Sequence, residues 1–151
     1  MVNGWSLPVS NANQLEWFEK AVRDKNNIRF TIQTLMEKEV LGMASLVDLD
    51  FKNGSAYHGI KLKNSAPKKM GYGTDAVMMI MKYAFDELRL HRLDTAIIEY
   101  NDASKMLYKK CGWTNEGMKK EAIYKNGTYY NNLIYGILKN DYIATKKKLG
   151  Y

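Results

Sequence analysis

Pro67-Lys68-Lys69-Met70-Gly71-Tyr72-Gly73-Thr74-Asp75 runs without a break into Ala76-Val77-Met78-Met79-Ile80-Met81-Lys82-Tyr83-Ala84-Phe85. Two glycines one residue apart sit where a turn enters a helix, and Ser55 to Lys63 just upstream reads as a strand. A strand, a glycine turn and a helix start leave backbone N–H groups free around one point. The helix dipole adds about half a positive charge there, which makes the junction a pyrophosphate cradle. The Walker phosphate loop is excluded, because no Gly-x-x-x-x-Gly-Lys-Ser/Thr is present. The dinucleotide fingerprint fits poorly: Ala76 stands at its third glycine, and the motif lies mid-chain after antiparallel strands instead of opening a first βαβ unit.

Outward from this junction the chain alternates between two periods. Ser10 or Asn11 can cap a helix from about Asn13 to Arg23, with Leu15, Phe18 and Val22 on one face. Ile28 to Met36 and Val40 to Leu49 read as strands, joined at Glu37-Lys38. Lys52-Asn53-Gly54 is a hairpin turn into the strand Ala56–Lys63. The helix from Thr74 to Leu88 places Val77, Ile80, Met81, Ala84 and Leu88 at helical spacing. A strand at Arg92–Tyr100, a short helix at Ala103–Lys110, and strands at Trp113–Tyr124 and Tyr129–Leu138 complete the series, the last two joined through Lys125-Asn126-Gly127. Antiparallel strands with helices around them make an α+β fold. Its 151 residues form one domain spanning 1–151, long enough for a core. One cysteine excludes an internal disulfide framework and fits a reducing compartment. No apolar run approaches the roughly 20 residues that span a bilayer, and no basic-then-apolar leader is visible, so the expected location is cytoplasmic.

A second motif gives the glycine turn its meaning. After Ala96-Ile97-Ile98-Glu99-Tyr100 comes Asn101-Asp102-Ala103-Ser104-Lys105-Met106-Leu107-Tyr108-Lys109-Lys110-Cys111-Gly112-Trp113. It resembles Asn-x-x-Ala/Ser-x-x-x-Tyr-x-x-x-Gly-Phe, and the turn resembles Arg/Gln-x-x-Gly-x-Gly/Ala with Lys68 at its first position. Both are signatures of the Gcn5-related N-acetyltransferases (GNAT). Leu88–Leu93, Asn115-Glu116-Gly117 and Tyr124–Tyr130 carry the likeness further, towards the ribosomal-protein N-terminal acetyltransferases and the spermidine acetyltransferases. The resemblance runs from about Trp17 to Ala144.

The resemblance implies a GNAT fold, a mixed and mostly antiparallel sheet flanked by helices, with acetyl-coenzyme A as cofactor. It implies a further strand ahead of Asn3-Gly4-Trp5, so the sheet is expected to lack the family's first strand. Ile28–Met36 would then be an open edge, which a homodimer contact is expected to cover. The strand before the glycine turn should part from its neighbour, and backbone groups of Ile60, Leu62 and Lys63 should hold the pantetheine arm, with the Leu62 N–H polarising the thioester carbonyl. Lys68, Lys69, Met70, Gly71, Tyr72, Gly73 and Thr74 would wrap the pyrophosphate. Lys68-Lys69-Met70 stands where the family usually has Arg-Gly-Arg/Lys, and lysine offers a point charge in place of a fork. Asn101 would reach the pantetheine, cap the following helix, or do both. Tyr108 would be the general acid for the leaving thiolate and touch the cofactor. Glu99 is the first choice of general base, with Asp48, Asp50 and His58 on neighbouring strands and a water chain as alternatives. Cys111 lacks a partner and reads as a small apolar core residue.

The net charge of +7 reads first as a solvated lysine surface, part of which can steer a polyanion or favour ribosome association. Lys146-Lys147-Lys148 reads as a frayed tail. No nucleic-acid-binding motif accompanies the charge. For the acceptor, an α-amine with pKa near 8 is far more often neutral at pH 7 than an amine near 10.4. A protein or peptide N-terminus is therefore the first expectation. A small amine (polyamine, amino sugar or aminoglycoside) is the alternative, for which Asp48, Asp50, Glu99, Glu116 and Glu121 could gather into an acidic cleft. A non-catalytic acyl-coenzyme A-binding module is a third.

Overall fold

The computed structural model describes residues 9–67 and 70–151. Lys68 and Lys69 of the expected pyrophosphate loop lie outside the described residues. Helix α1 (Asn11–Arg23) starts at Ser10, whose Oγ accepts the Asn13 N–H at 3.1 Å. Strands β1 (Ile28–Gln33), β2 (Val40–Asp50) and β3 (Ser55–Leu62) form an antiparallel meander. Helix α2 (Tyr72–Lys82) follows the glycine turn. Strand β4 (Arg92–Ile98), helix α3 (Asp102–Lys110), the hairpin β5 (Thr114–Lys125) and β6 (Thr128–Leu138), and helix α4 (Lys139–Leu149) complete the chain. The sheet order is β1-β2-β3-β4-β6-β5, and among the described residues only β3 and β4 pair in parallel.

Alternation along the strands decides which sheet face is buried. Ala44, Leu46, Ala56, His58, Leu93, Thr95 and Ile137 share one face, and all are buried. Val77, Met78, Met81, Ala84 and Phe85 close that face from α2 and the segment after it. Trp113 packs into the same core, and its indole N–H donates to Met81 Sδ at 3.1 Å. Each large apolar side chain buried here contributes about 1.5–3 kcal/mol.

Three parts depart from the sequence reading. The helix expected to run to Leu88 loosens into a π-helical segment, Tyr83–Glu87, where the Leu88 N–H reaches back to the Tyr83 carbonyl at 3.0 Å. The expected basic tail is helix α4. Its Tyr142 is fully buried, stacks on Phe85 with ring centroids 5.2 Å apart, and donates to Asp86 Oδ2 at 2.9 Å. Lys146 pairs with the same carboxylate at 3.1 Å. Only Tyr142 and Thr145 are buried on this helix, too few for a visible apolar stripe. The third departure is α1, none of whose residues is buried: Leu15, Phe18 and Val22 stay exposed. Among the described residues β1 has a partner on one side only, as expected of an open edge.

Candidate active site

The parallel pair β3 and β4 is joined over just three residue pairs: Ser55 with Arg92, Ala56 with Leu93, and Tyr57 with Asp94. Beyond them the strands part. Lys63 donates its N–H to the Leu41 carbonyl at 2.8 Å, so Lys63, Lys61 and Gly59 turn their backbone groups towards β2. By the same alternation His58, Ile60 and Leu62 turn theirs away from β2, into the opening. The opening is a cleft of about 470 Å³, walled by Ile60 and Leu62 on one side and Thr95, Ile98 and Asn101 on the other. An extended, amide-bearing ligand can complete the sheet there, as an added strand does. Lys63 itself departs from the expectation. Its N–H is taken by Leu41, its carbonyl accepts from Ala66 at 3.0 Å, and its ammonium pairs with Glu39. The Lys63 N–H therefore has nothing left to donate to a ligand, and its carbonyl already accepts one bond.

The glycine turn lies at the end of this cleft. Gly71 caps α2 with φ of +86°, a conformation that favours glycine, and as a glycine it offers no side chain to accept the first N–H groups of the helix. The first intrahelical bond is Asp75 N–H to Gly71 carbonyl at 2.9 Å, which leaves the amides of Tyr72, Gly73 and Thr74 ahead of it without an intrahelical acceptor. Met70 is exposed beside them. A Cβ on Gly73 would meet Leu107 at 3.4 Å and Leu62 at 3.7 Å, so this glycine brings α2 close to both α3 and β3.

Helix α3 delivers the two side chains of the second motif. Asn101 is its N-cap: Oδ1 accepts the Ser104 N–H at 3.1 Å, while the residue also lines the cleft. Capping uses one oxygen and leaves the amide NH₂ free to donate. Tyr108, two turns on, is 3% exposed and reaches the cleft from below. Burial pushes its phenol well above the ordinary value, so the hydroxyl stays protonated. Its partner is His58, whose Nδ1 lies 2.8 Å from the Tyr108 oxygen. The imidazole packs against Tyr108 and Trp113, each at a centroid distance of 5.6 Å. Sequence had placed His58 only among possible bases. Its inward position, between Ala56 and Ile60 on an apolar strand face, was the signal of a buried partner. Cys111 is fully buried, and burial raises its thiol to about 11, which removes a thiolate nucleophile.

The acidic residues do not converge. Glu99 accepts from the Asn131 N–H at 2.7 Å and from the Asn131 side-chain amide at 2.9 Å. Asp50 closes the β2–β3 turn through the Lys52 and Asn53 N–H groups, each at 2.9 Å. Glu116 pairs with Arg92, and Asp48 and Glu121 sit at positive-φ positions in β2 and β5. None of these lines the cleft. The expected acidic cleft is therefore not formed among the described residues.

Burial holds the His58 imidazole neutral, with its pKa lowered to about 3 from an ordinary 6.5. A basic group with a depressed folded pKa stabilises the fold above its unfolded pKa, and that contribution is lost as pH falls from 6.5 towards 3. Urea unfolding at pH 7.5 and pH 5.0 should therefore show wild type losing about 2 kcal/mol more than His58→Phe, from about 1.4 kcal/mol per pH unit below the unfolded value. Equal losses in the two proteins would mean that His58 charges without penalty.

Comparison with known proteins places this geometry. A family profile described as an acetyltransferase (GNAT) domain matches residues 5–134. An SPbeta prophage-derived uncharacterized N-acetyltransferase of Bacillus subtilis is 28% identical over 137 residues, covering 90% of this chain and 75% of that protein. A spermidine N(1)-acetyltransferase of Vibrio cholerae is 26% identical over 139 residues, covering 90% of this chain and 78% of its own length. Among solved structures, the Vibrio cholerae spermidine N-acetyltransferase in complex with CoA and spermine shares the fold, with a TM-score of 0.84 at 24% identity over 90% of this chain and 79% of that one.

Proposed function

The chain belongs to the GNAT acetyltransferase family, and from that membership we propose that it acetylates a small primary amine of the polyamine class. It is an acetyl-coenzyme A-dependent N-acetyltransferase. The observation that supports a working site is the parting of β3 from β4 with Tyr108 beneath it. The open backbone groups of Ile60 and Leu62, the uncapped amides of Tyr72, Gly73 and Thr74, and the free Asn101 amide fit a ligand that has an amide-bearing arm and a diphosphate. Acetyl-coenzyme A supplies an activated acetyl thioester.

In the proposed division of roles, Ile60, Leu62 and Asn101 hold the pantetheine arm. Gly71, Tyr72, Gly73 and Thr74 hold the diphosphate, a role the motif also assigns to Lys68, Lys69 and Met70. The Leu62 N–H polarises the carbonyl of the thioester. The neutral amine attacks the carbonyl carbon in a ternary complex, the C–S bond breaks, and Tyr108 protonates the departing thiolate. Glu99 is the proposed carboxylate partner of the acceptor. Because it stands outside the cleft lining with Asn131 on both of its oxygens, it acts only at a distance, by attracting the cationic amine, and water takes the proton. Glu99→Gln should then lower kcat less than about fivefold at pH 8, against the 10²–10⁴-fold typical of losing a direct base. A hundredfold loss would restore Glu99 as the base.

Sequence likeness to spermidine N(1)-acetyltransferases supports the polyamine reading. A peptide α-amine is the second reading, favoured by the absence of any carboxylate from the described cleft lining, because such an amine needs little help to lose its proton. Ribosome association belongs to that second reading alone. A homodimer across the open β1 edge is part of the proposal, and a monomer at high concentration in sedimentation would remove it. The deciding assay is thiol release from acetyl-coenzyme A, with mass identification of the product, against spermidine, an aminoglycoside and an alanine-initiated peptide. Release with spermidine alone supports the proposal; release with the peptide alone replaces it.

A further inference from the structure

We propose that His58 is a positioning residue for the reaction, donating its Nδ1–H to the Tyr108 oxygen so that the phenol proton is free to point into the cleft. This rests on the assignment of Tyr108 as the acid. The geometry leaves two tautomers. With Nε2 protonated, Nδ1 would accept the phenol proton and hold it away from the cleft, and an N–H would be buried without any acceptor. With Nδ1 protonated, the phenol proton is released to the cleft, and only a lone pair is left without a partner. His58 is fully buried, and its Nε2 has no hydrogen-bond partner. Orphaned buried N–H groups are rarer than unused acceptor lone pairs, which selects the Nδ1–H form.

The chemistry needs this donor. An ordinary thiol has a pKa near 8.5 and an ordinary phenol one near 10, so proton transfer from tyrosine to a thiolate runs uphill. A dry site steepens it, because the product is a buried phenolate. The titratable groups that bear on Tyr108 are Tyr57 and Cys111, and both would oppose a negative charge there. His58 Nδ1–H faces that charge at 2.8 Å, and the Thr95 hydroxyl is a second donor beside it that also favours the phenolate. The balance is complete without the imidazole changing charge. The amine forms the C–N bond, the C–S bond breaks, the thiolate sulfur takes the Tyr108 proton, and the acylated nitrogen gives its extra proton to water. The phenolate, held by His58 Nδ1–H, then recovers a proton from water in the cleft.

Two measurements test this. Long-range ¹H–¹⁵N spectra at pH 7 read the tautomer directly, and with two histidines in the chain His58→Phe assigns the signals. The expected result is Nδ1 protonated and Nε2 bare; an Nε2–H tautomer overturns the proposal whatever the enzyme acetylates. Thiol release is then followed with spermidine as acceptor. His58→Phe keeps the aromatic packing and should lower kcat about 10²–10³-fold, the range for losing one donor to a developing oxyanion, with KM for acetyl-coenzyme A unchanged. His58→Asn, which can place an N–H where Nδ1 stood, should recover at least about tenfold of that loss. A Tyr108→Phe background should make His58→Phe nearly silent, because the two act as a unit. If Tyr108→Phe is slow and His58→Phe is not, the His58 assignment falls alone. If Tyr108→Phe is as fast as wild type, the acid assignment falls with it.

Discussion

Tyr108→Phe is expected to lower kcat by about 10²–10³-fold while acetyl-coenzyme A still binds within about threefold of wild type. In the proposed mechanism the phenol is the proton donor, and phenylalanine keeps its shape but carries no proton. Backbone groups and helix amides hold the cofactor in this account, and they survive the change. The substitution also strips His58 Nδ1 of its partner in a fully buried place. An unsatisfied buried group costs about 1–3 kcal/mol, so the melting temperature should fall by roughly 2–10 °C. Steady-state thiol release and titration calorimetry separate the two effects. A kcat within about threefold of wild type would remove Tyr108 from the chemistry, because general acids contribute far more.

Gly112→Ala should be strongly destabilising. Gly112 has φ of +86°, and an added Cβ would lie 2.1 Å from Thr145 Oγ1 on α4. The backbone conformation alone costs about 1–2 kcal/mol for a residue with a Cβ. The clash adds to that, since Thr145 must rotate its hydroxyl away and its Cβ, at 3.1 Å, must also give. A total near 3 kcal/mol or more is expected, read as a fall of about 6–12 °C in the melting temperature. Thr145→Ala removes the atom struck, so Gly112→Ala with Thr145→Ala should be at least about 1 kcal/mol more stable than the sum of the single changes. Strict additivity would show that α4 does not rest on Gly112. Because Gly112 belongs to the same motif as Tyr108, the pair shows one stretch of sequence serving two ends. Asn101 and Tyr108 serve the cleft, and Gly112 admits the C-terminal helix.

Most of the sheet was legible because its strands alternate cleanly and its turns carry Asn-Gly pairs. The cleft was legible only through two spaced motifs, since the parting of β3 and β4 has no local signature. It arises from the divergence of two strands whose residues are far apart in sequence. What could not be read follows a physical pattern. Helix α4 is held by Tyr142 and Thr145, one turn apart, with lysines around them, so its period was invisible. The π-helical segment depends on how Ala84 and Phe85 meet the core, which periodicity cannot encode. Leu15, Phe18 and Val22 form a face at helical spacing that finds no core. Lys63 looked available by its position after the strand, yet a further ladder bond to Leu41 claims its amide. Glu99 follows the strand that walls the cleft, but it does not line the cleft, and Asn131, a partner on β6, donates to both of its oxygens. The identity of both partners depends on the three-dimensional fold.

The claim at the centre is that the gap between β3 and β4 receives the cofactor as a surrogate strand ending on the α2 amides. Amide hydrogen exchange by NMR, with and without saturating coenzyme A, tests it most directly. The account predicts that the Ile60, Leu62, Tyr72, Gly73 and Thr74 amides, open in the free protein, become strongly protected, while β1 and β5 change little. Protection confined to other elements, with those amides still exchanging freely, would contradict it.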